Sequence, residues 1–134
     1  MEKILLVDDE ADIEFLAKQK FRKQIASNVF ELIFFQNAED ALEFVRINPN
    51  ISVIISDLNM PGMDGLKLLE RVKELNPAIK TIVISAYGDV KTLRAAMNVG
   101  VFDFIIKPID FNDLNDTINR AIALYRSPSL ICGP

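Results

Sequence analysis

The chain has 134 residues and a net charge of −4, and half of its residues are hydrophobic, as expected of one domain that can bury its own core. It contains one cysteine and no histidine, which excludes an intrachain disulfide, serine–histidine hydrolysis, histidine-ligated zinc and imidazole acid–base catalysis. Its basic residues are scattered, and its first apolar run is far shorter than the roughly 20 residues of a membrane span. We therefore expect a cytoplasmic protein that binds neither nucleic acid nor membrane.

Five short runs of β-branched, aliphatic or aromatic residues recur along the chain and predict strands. They lie at residues 4–7, 30–35, 51–56, 81–84 and 102–106. Runs that are apolar on both faces are typical of the buried strands of a parallel sheet. We therefore expect five parallel strands.

An amphipathic segment follows each run, and polar residues mark where these segments begin. Asn37, Asp64, Asp89 and Asp110 stand at the N-cap positions of the second to fifth segments, and Gly100 at the left-handed C-cap of the fourth. The residues predicted to face inward are Ile13, Leu16, Ala17 and Phe21 in the first segment and Leu114, Ile118, Ala121 and Ile122 in the last. The alternation of strands and helices predicts an α/β fold with helices on both faces of the sheet.

The last eight residues, 127–134, break this alternation. Their sequence, Ser-Pro-Ser-Leu-Ile-Cys-Gly-Pro, is typical of a linker or an expression remnant, and we interpret Cys132 there as incidental. The folded domain is therefore predicted to span residues 1–126.

Polar side chains follow four of the predicted strands. Asp8 and Asp9 follow the first strand, Asp57 follows the third, Ser85 the fourth and Lys107 the fifth. Each of them alone has an ordinary structural explanation, such as a helix start, a turn or a solvated charge. In a parallel sheet, however, the carboxyl ends of all the strands lie along one edge, where ligands of such folds bind. We therefore expect these five side chains to form one site.

The chemistry of phosphoryl transfer fits this set of side chains. Carboxylates that are brought close together repel one another unless a cation joins them, and Mg²⁺ prefers hard oxygen ligands of this kind. An aspartate carboxylate is a known class of nucleophile, which forms an aspartyl-phosphate. The Lys107 ammonium can neutralise charge on the transferred group, and the Ser85 hydroxyl can donate to one of its oxygens.

The sequence resembles the receiver domains of bacterial two-component response regulators over residues 2–126. The stretches that carry this resemblance are Ile4 to Glu10, Ser56 to Gly65, Ser85 to Tyr87, and Lys107-Pro108. The resemblance implies a flavodoxin-like, doubly wound (βα)5 fold with a parallel sheet of strand order 2-1-3-4-5.

The resemblance also implies the roles of the acidic residues. Asp57 would be the phosphoacceptor. Asp8, Asp9 and Asp57, together with the main-chain carbonyl of Asn59, would hold Mg²⁺, for which Mn²⁺ can substitute.

A second group of residues is implied to bind the phosphoryl group and to switch the domain. Ser85 would move to meet the phosphoryl group and Lys107 would pair with it. Phe104 occupies the position of the family's switch aromatic, although an ordinary core aromatic is the alternative. Tyr87 and Pro108 would flank the site, and the peptide bond before Pro108 is expected to be cis.

We expect a signalling phosphoacceptor whose only intrinsic chemistry is self-phosphorylation and self-dephosphorylation, rather than an enzyme. A partner histidine kinase, a histidine phosphotransfer protein or a small phosphodonor would supply the phosphoryl group, because the chain has no histidine. An output domain or a homodimer would use the face formed by residues 89–126.

Three alternative functions fit the sequence less well. A phosphatase would need a second acid where Asn59 stands, and a flavin- or nucleotide-binding module would need a glycine-rich loop. A phosphorylation-independent interaction domain is disfavoured because the acidic cluster, Ser85 and Lys107 are all present.

Overall fold

A computed structural model describes residues 2–60 and 62–127, which form five strands and six helices. The strands are β1 (Glu2–Val7), β2 (Phe30–Phe35), β3 (Ile51–Asp57), β4 (Lys80–Ser85) and β5 (Asp103–Ile106). The helices are α1 (Ala11–Lys20), α2 (Arg22–Ala26), α3 (Ala38–Ile47), α4 (Gly65–Leu75), α5 (Val90–Val99) and α6 (Phe111–Arg126). Within the described ranges, no helix is both long and apolar enough to cross a bilayer.

The five strands form one parallel sheet of order β2-β1-β3-β4-β5, which confirms the predicted fold. All seven residues of β3, at the centre of the sheet, are buried, because helices cover both faces of the sheet. The order reverses direction between β1 and β3, and the crevice at such a switch point lies at the carboxyl ends of the strands.

Two hydrophobic clusters fill the space between the sheet and its helices. On one face, α1 and α6 pack against the sheet, and the four inward residues predicted for the last helix, including Leu114 and Ile118, are all buried. On the other face, α3 and α4 cover the sheet, with Leu68, Leu69 and Val72 of α4 fully buried. This packing holds the strand ends in fixed positions relative to one another.

The first amphipathic segment differs from its prediction, because the helix is interrupted at Phe21. The ring of Phe21 is buried and makes edge-to-face contacts with Phe30 and Phe111, at centroid distances of 5.5 and 5.7 Å. Aromatic pairs prefer this geometry. Ala17 is buried as predicted, whereas Leu16 is 37% exposed and does not belong to the core.

The predicted helix caps are present. The side chains of Asn37, Asp64, Asp89 and Asp110 each accept a backbone N–H from the first turn of the following helix. Gly100 adopts the left-handed conformation with φ 84° at the end of α5. These caps supply partners for N–H groups that the helix itself leaves unpaired.

Replacing Asp110 by alanine is expected to lower the free energy of unfolding by about 1 kcal/mol, because Asp110 accepts the N–H groups of Asn112 and Asp113 at 2.9 and 3.2 Å. Urea denaturation would measure this change. Asp116→Ala, at an exposed position of the same helix, is the matched control and should stay within about 0.5 kcal/mol of the wild type. Equal losses in the two variants would contradict the capping role.

Most of the segment 127–134 lies outside the described residues, so its interpretation as a linker or an expression remnant stays a prediction. Ser127 is the C-cap of α6 and donates its N–H to the Ala123 carbonyl at 3.0 Å. Cys132 is among the residues that are not described.

Candidate functional site

The strand register explains why the polar strand ends meet. Val7 is the register partner of Ser56, so Asp8 and Asp57, one residue further along each strand, lie side by side. Asp57 is in turn the partner of Ile84, and Ser85 is the partner of Ile106. The side chains predicted from the sequence therefore share one edge of the sheet.

Asp57 lies at the centre of this edge and is 5% exposed. One of its carboxylate oxygens, Oδ2, accepts a hydrogen bond from the Lys107 ammonium at 3.2 Å. The other, Oδ1, accepts the backbone N–H of Asn59 at 3.4 Å. The same Lys107 nitrogen lies 3.7 Å from Asp8 Oδ2, so one ammonium bridges two carboxylates.

Three carboxylates form an acidic cluster at the site. Asp8, Asp9 and Asp57 each offer an oxygen that lies within 4.8 Å of the other two. Asp8 is 1% exposed and its Oδ1 accepts the Glu10 N–H at 2.9 Å, whereas Asp9 faces solvent. Carboxylate oxygens at this spacing suit a small divalent cation that prefers hard ligands and retains part of its hydration.

Burial raises the pKa of Asp8 from its ordinary value of 3.8 to about 6. The N–H of Glu10 and the Lys107 ammonium lower this pKa, and the neighbouring Asp57 carboxylate raises it, but burial has the largest effect. Burial also lowers the pKa of Lys107, yet its hydrogen bond to Asp57 and the charges of Asp8 and Asp57 outweigh burial and raise it above 10.5. Lys107 is therefore a permanent cation beside the Asp8 carboxylate, whose pKa is about 6.

Ser85 is buried at the end of β4, one residue beyond the register partner of Asp57. Its hydroxyl oxygen accepts the N–H of Tyr87 at 3.0 Å, and its carbonyl accepts the N–H of Lys107 at 2.8 Å. A hydroxyl that accepts one hydrogen bond keeps its own proton to donate. Tyr87 itself is 62% exposed at the rim of the site.

Phe104 and Pro108 lie on either side of Lys107 along the chain. Phe104 is half-buried and packs against the hydrophobic cluster on the α3 and α4 face. Pro108 is exposed, and the peptide bond before it is cis, as the resemblance predicted.

Gly65 is a site residue whose role the sequence prediction did not identify. It is buried at the start of α4, and a Cβ there would lie 2.2 Å from the Asp57 carbonyl oxygen and 2.9 Å from the Leu58 Cα. No larger residue fits so close to the backbone of Asp57. The available signal was the glycine directly after the capping Asp64, because glycine permits a close approach of backbone to backbone.

Comparisons with known proteins agree with this geometry. The sequence model of the response regulator receiver domain family matches residues 4–119. Regulatory protein AtoC of Escherichia coli (strain K12) is 35% identical over 123 residues, which cover 91% of this chain and 25% of AtoC. Sporulation initiation phosphotransferase F of Bacillus subtilis (strain 168) is 29% identical over 124 residues, which cover 92% of this chain and 95% of that protein.

Solved structures give the same result. The crystal structure of a response regulator receiver domain protein from Clostridium thermocellum superposes with a TM-score of 0.84 at 28% identity, covering 94% of this chain and 98% of that one. The fold and its strand-end acidic site thus define a phospho-accepting signalling domain. The chain belongs to the response regulator receiver domain family. It spans about a quarter of the length of relatives such as AtoC and NtrC.

Proposed function

We propose that Asp57 is the residue that accepts the phosphoryl group. One observation carries this proposal. A buried carboxylate lies 3.2 Å from a permanent ammonium and within one cluster with two further carboxylates. A buried carboxylate in this setting has a cation on one side and metal-ligand oxygens on the other. The ammonium, and a metal ion bound by those oxygens, would neutralise charge on the oxygens of the phosphoryl group and so favour attack at phosphorus.

In this proposal Asp8, Asp9 and Asp57, with the main-chain carbonyl of Asn59, hold Mg²⁺, and Mn²⁺ can take its place. The donor set supports this assignment because it consists only of oxygens and includes three carboxylates within 4.8 Å of one another. When bound, the ion neutralises charge on the carboxylates and on the phosphoryl oxygens.

The transfer itself is a displacement at phosphorus. A carboxylate oxygen of Asp57 forms the new bond to phosphorus, and the bond from phosphorus to the donor's imidazole nitrogen, or to the acetate oxygen of acetyl phosphate, breaks. The leaving group keeps the electron pair of the broken bond. Lys107 then pairs with the phosphoryl group, and the Ser85 hydroxyl donates to one of its oxygens.

The new charge would shift the domain between two packings of the region around Ser85 and Phe104. Ser85 would move towards the phosphoryl group and donate a hydrogen bond to one of its oxygens. Phe104, which is half-buried, would turn inward. The face formed by residues 89–126 would present the result to an output domain or to a second copy of the chain.

The phosphoryl donor is, in this proposal, a separate cytoplasmic histidine kinase, a histidine phosphotransfer protein or a small phosphodonor. The 134 residues contain no histidine that could serve as the donor. We also propose that the domain is not an enzyme in its own right, because Asn59 occupies the position where an aspartyl-phosphate phosphatase needs a general acid. Neither nucleic acid nor membrane is a proposed partner of this domain.

Incubation of the protein with acetyl phosphate and Mg²⁺, followed by intact-mass measurement, tests the proposal. We expect one added phosphoryl group per chain, and none when EDTA replaces Mg²⁺. Borohydride reduction and peptide mapping should then place the modification at Asp57. A label at another residue, or a label that persists in EDTA, would contradict the assignment.

Lys107→Ala is expected still to accept a phosphoryl group but to bind Mg²⁺ about fivefold more tightly, because roughly 1 kcal/mol of repulsion between ammonium and metal ion is removed. Calorimetric titration with Mg²⁺ well above pH 6, where Asp8 is ionised, would measure this. Lys80→Ala is the control, since Lys80 begins β4 at the opposite end of the sheet. Unchanged or weaker Mg²⁺ binding by Lys107→Ala would contradict the expectation that the Lys107 ammonium repels the metal ion.

A further inference from the structure

The loop of residues 58–64 connects β3 to α4 and begins directly after Asp57. It contains Asn59, whose carbonyl the proposed function assigns to the metal ion. The base of the loop is closed by a hydrogen bond from the Gly65 N–H to the Leu58 carbonyl at 3.1 Å. This bond joins the two ends of the loop, and near its start the Asn59 N–H donates to Asp57 while Met60 is buried in the hydrophobic core.

Glu39 contacts the far side of this loop from a different helix. Its carboxylate oxygen Oε1 accepts the N–H of Met63 at 3.3 Å. A Cβ on Gly62 would lie 3.0 Å from the same oxygen, and Gly62 has φ 79°. Two consecutive loop residues therefore approach one carboxylate oxygen, and the left-handed backbone conformation of residue 62 favours glycine.

The backbone of Glu39 is well placed because it lies in the first turn of α3, and its exposed side chain reaches the loop from there. Asn37 caps this helix by accepting the N–H of Asp40 at 2.8 Å, and Ala38 and Ala41 are fully buried against the sheet. A side chain in the first turn of a capped and packed helix gives a firm support to a neighbouring loop.

We propose that Glu39 is a positioning residue for the metal site, which acts by holding the Met63 N–H and thereby the loop that presents the Asn59 carbonyl. This inference rests on the proposed function. Without the bond, the loop spends less time in its binding-competent conformation, and the apparent dissociation constant for Mg²⁺ rises in proportion. Glu39 itself is not a ligand of the ion.

Mg²⁺ titration calorimetry and amide hydrogen exchange on four proteins test the inference: the wild type, Glu39→Ala, Glu39→Gln and Glu43→Ala. Glu39→Ala removes the acceptor and is expected to weaken Mg²⁺ binding about fivefold and to speed exchange of the Met63 amide. Glu39→Gln keeps an acceptor oxygen at the same place and should bind Mg²⁺ within about twofold of the wild type. Glu43→Ala is the matched control, since Glu43 lies one turn further along α3 and pairs with Arg46 instead.

The outcomes separate the inference from the proposed function. Wild-type affinity in Glu39→Ala would overturn the inference and leave the role of Asp57 intact. Equal weakening in Glu39→Ala and Glu39→Gln would also overturn it, because the negative charge rather than the hydrogen bond would then be responsible. A wild-type protein that binds no Mg²⁺ would overturn both.

Discussion

Asp57→Asn is expected to lose phosphorylation by acetyl phosphate, by roughly three orders of magnitude or more, since removal of a covalent nucleophile has effects of that size. An amide oxygen carries no negative charge and does not attack phosphorus as a carboxylate does. The substitution keeps the size of a side chain that is 5% exposed, and the amide oxygen can still accept the Lys107 N–H. The fold should therefore persist while the chemistry is lost.

Intact-mass measurement after incubation with acetyl phosphate and Mg²⁺ checks this prediction, with circular dichroism as the test of folding. Asp12→Asn is the matched control, because Asp12 is an exposed aspartate in the first turn of α1 and should be phosphorylated like the wild type. If Asp57→Asn remains labelled at its original extent, Asp57 is not the acceptor.

Most of the fold could be predicted because its signals are local. Strand runs, helix caps and the C-terminal glycine of α5 each depend on a few neighbouring residues, and all are present in the structure. The interruption at Phe21 could not be predicted in this way. It accompanies the insertion of one ring between Phe30 and Phe111, and these residues are distant in sequence from one another.

In the candidate site, too, some contacts could be predicted from the sequence and others could not. Asp8 and Asp57 are adjacent because β1 pairs with β3 and each residue directly follows a register partner. The strand pattern predicted that both residues lie at one edge of the sheet, and the resemblance supplied the strand order that makes β1 and β3 neighbours. The contact between Glu39 and Met63 joins residues 24 apart through the packing of two helices. Nothing in the local sequence indicates that contact, and only the three-dimensional arrangement reveals it.

Asp8→Asn is expected to stabilise the metal-free protein at neutral pH, by about 1–3 kcal/mol from a shift of roughly two pKa units. The pKa of Asp8 in the folded protein is about 6, above its ordinary value of 3.8. Between these two values the folded state binds more protons than the unfolded state, so stability falls as pH rises through this window and stays lower above it. Asparagine does not ionise, so the stability of the variant does not fall in this pH window.

Urea denaturation of both proteins between pH 4 and pH 8, in EDTA and in Mg²⁺, measures this effect. In EDTA the difference between Asp8→Asn and the wild type should be near zero at pH 4, where Asp8 is already largely protonated, should grow as pH rises to about 6, and should level off above that. Mg²⁺ should stabilise the wild type increasingly over the same range, because binding requires the ionised carboxylate and ligands that bind only the folded state stabilise it. The variant should gain little from the ion.

An Asp8→Asn protein that is less stable than the wild type at pH 8 in EDTA would show that burial does not raise the pKa of Asp8. Equal stabilisation of both proteins by Mg²⁺ would show that Asp8 does not hold the ion.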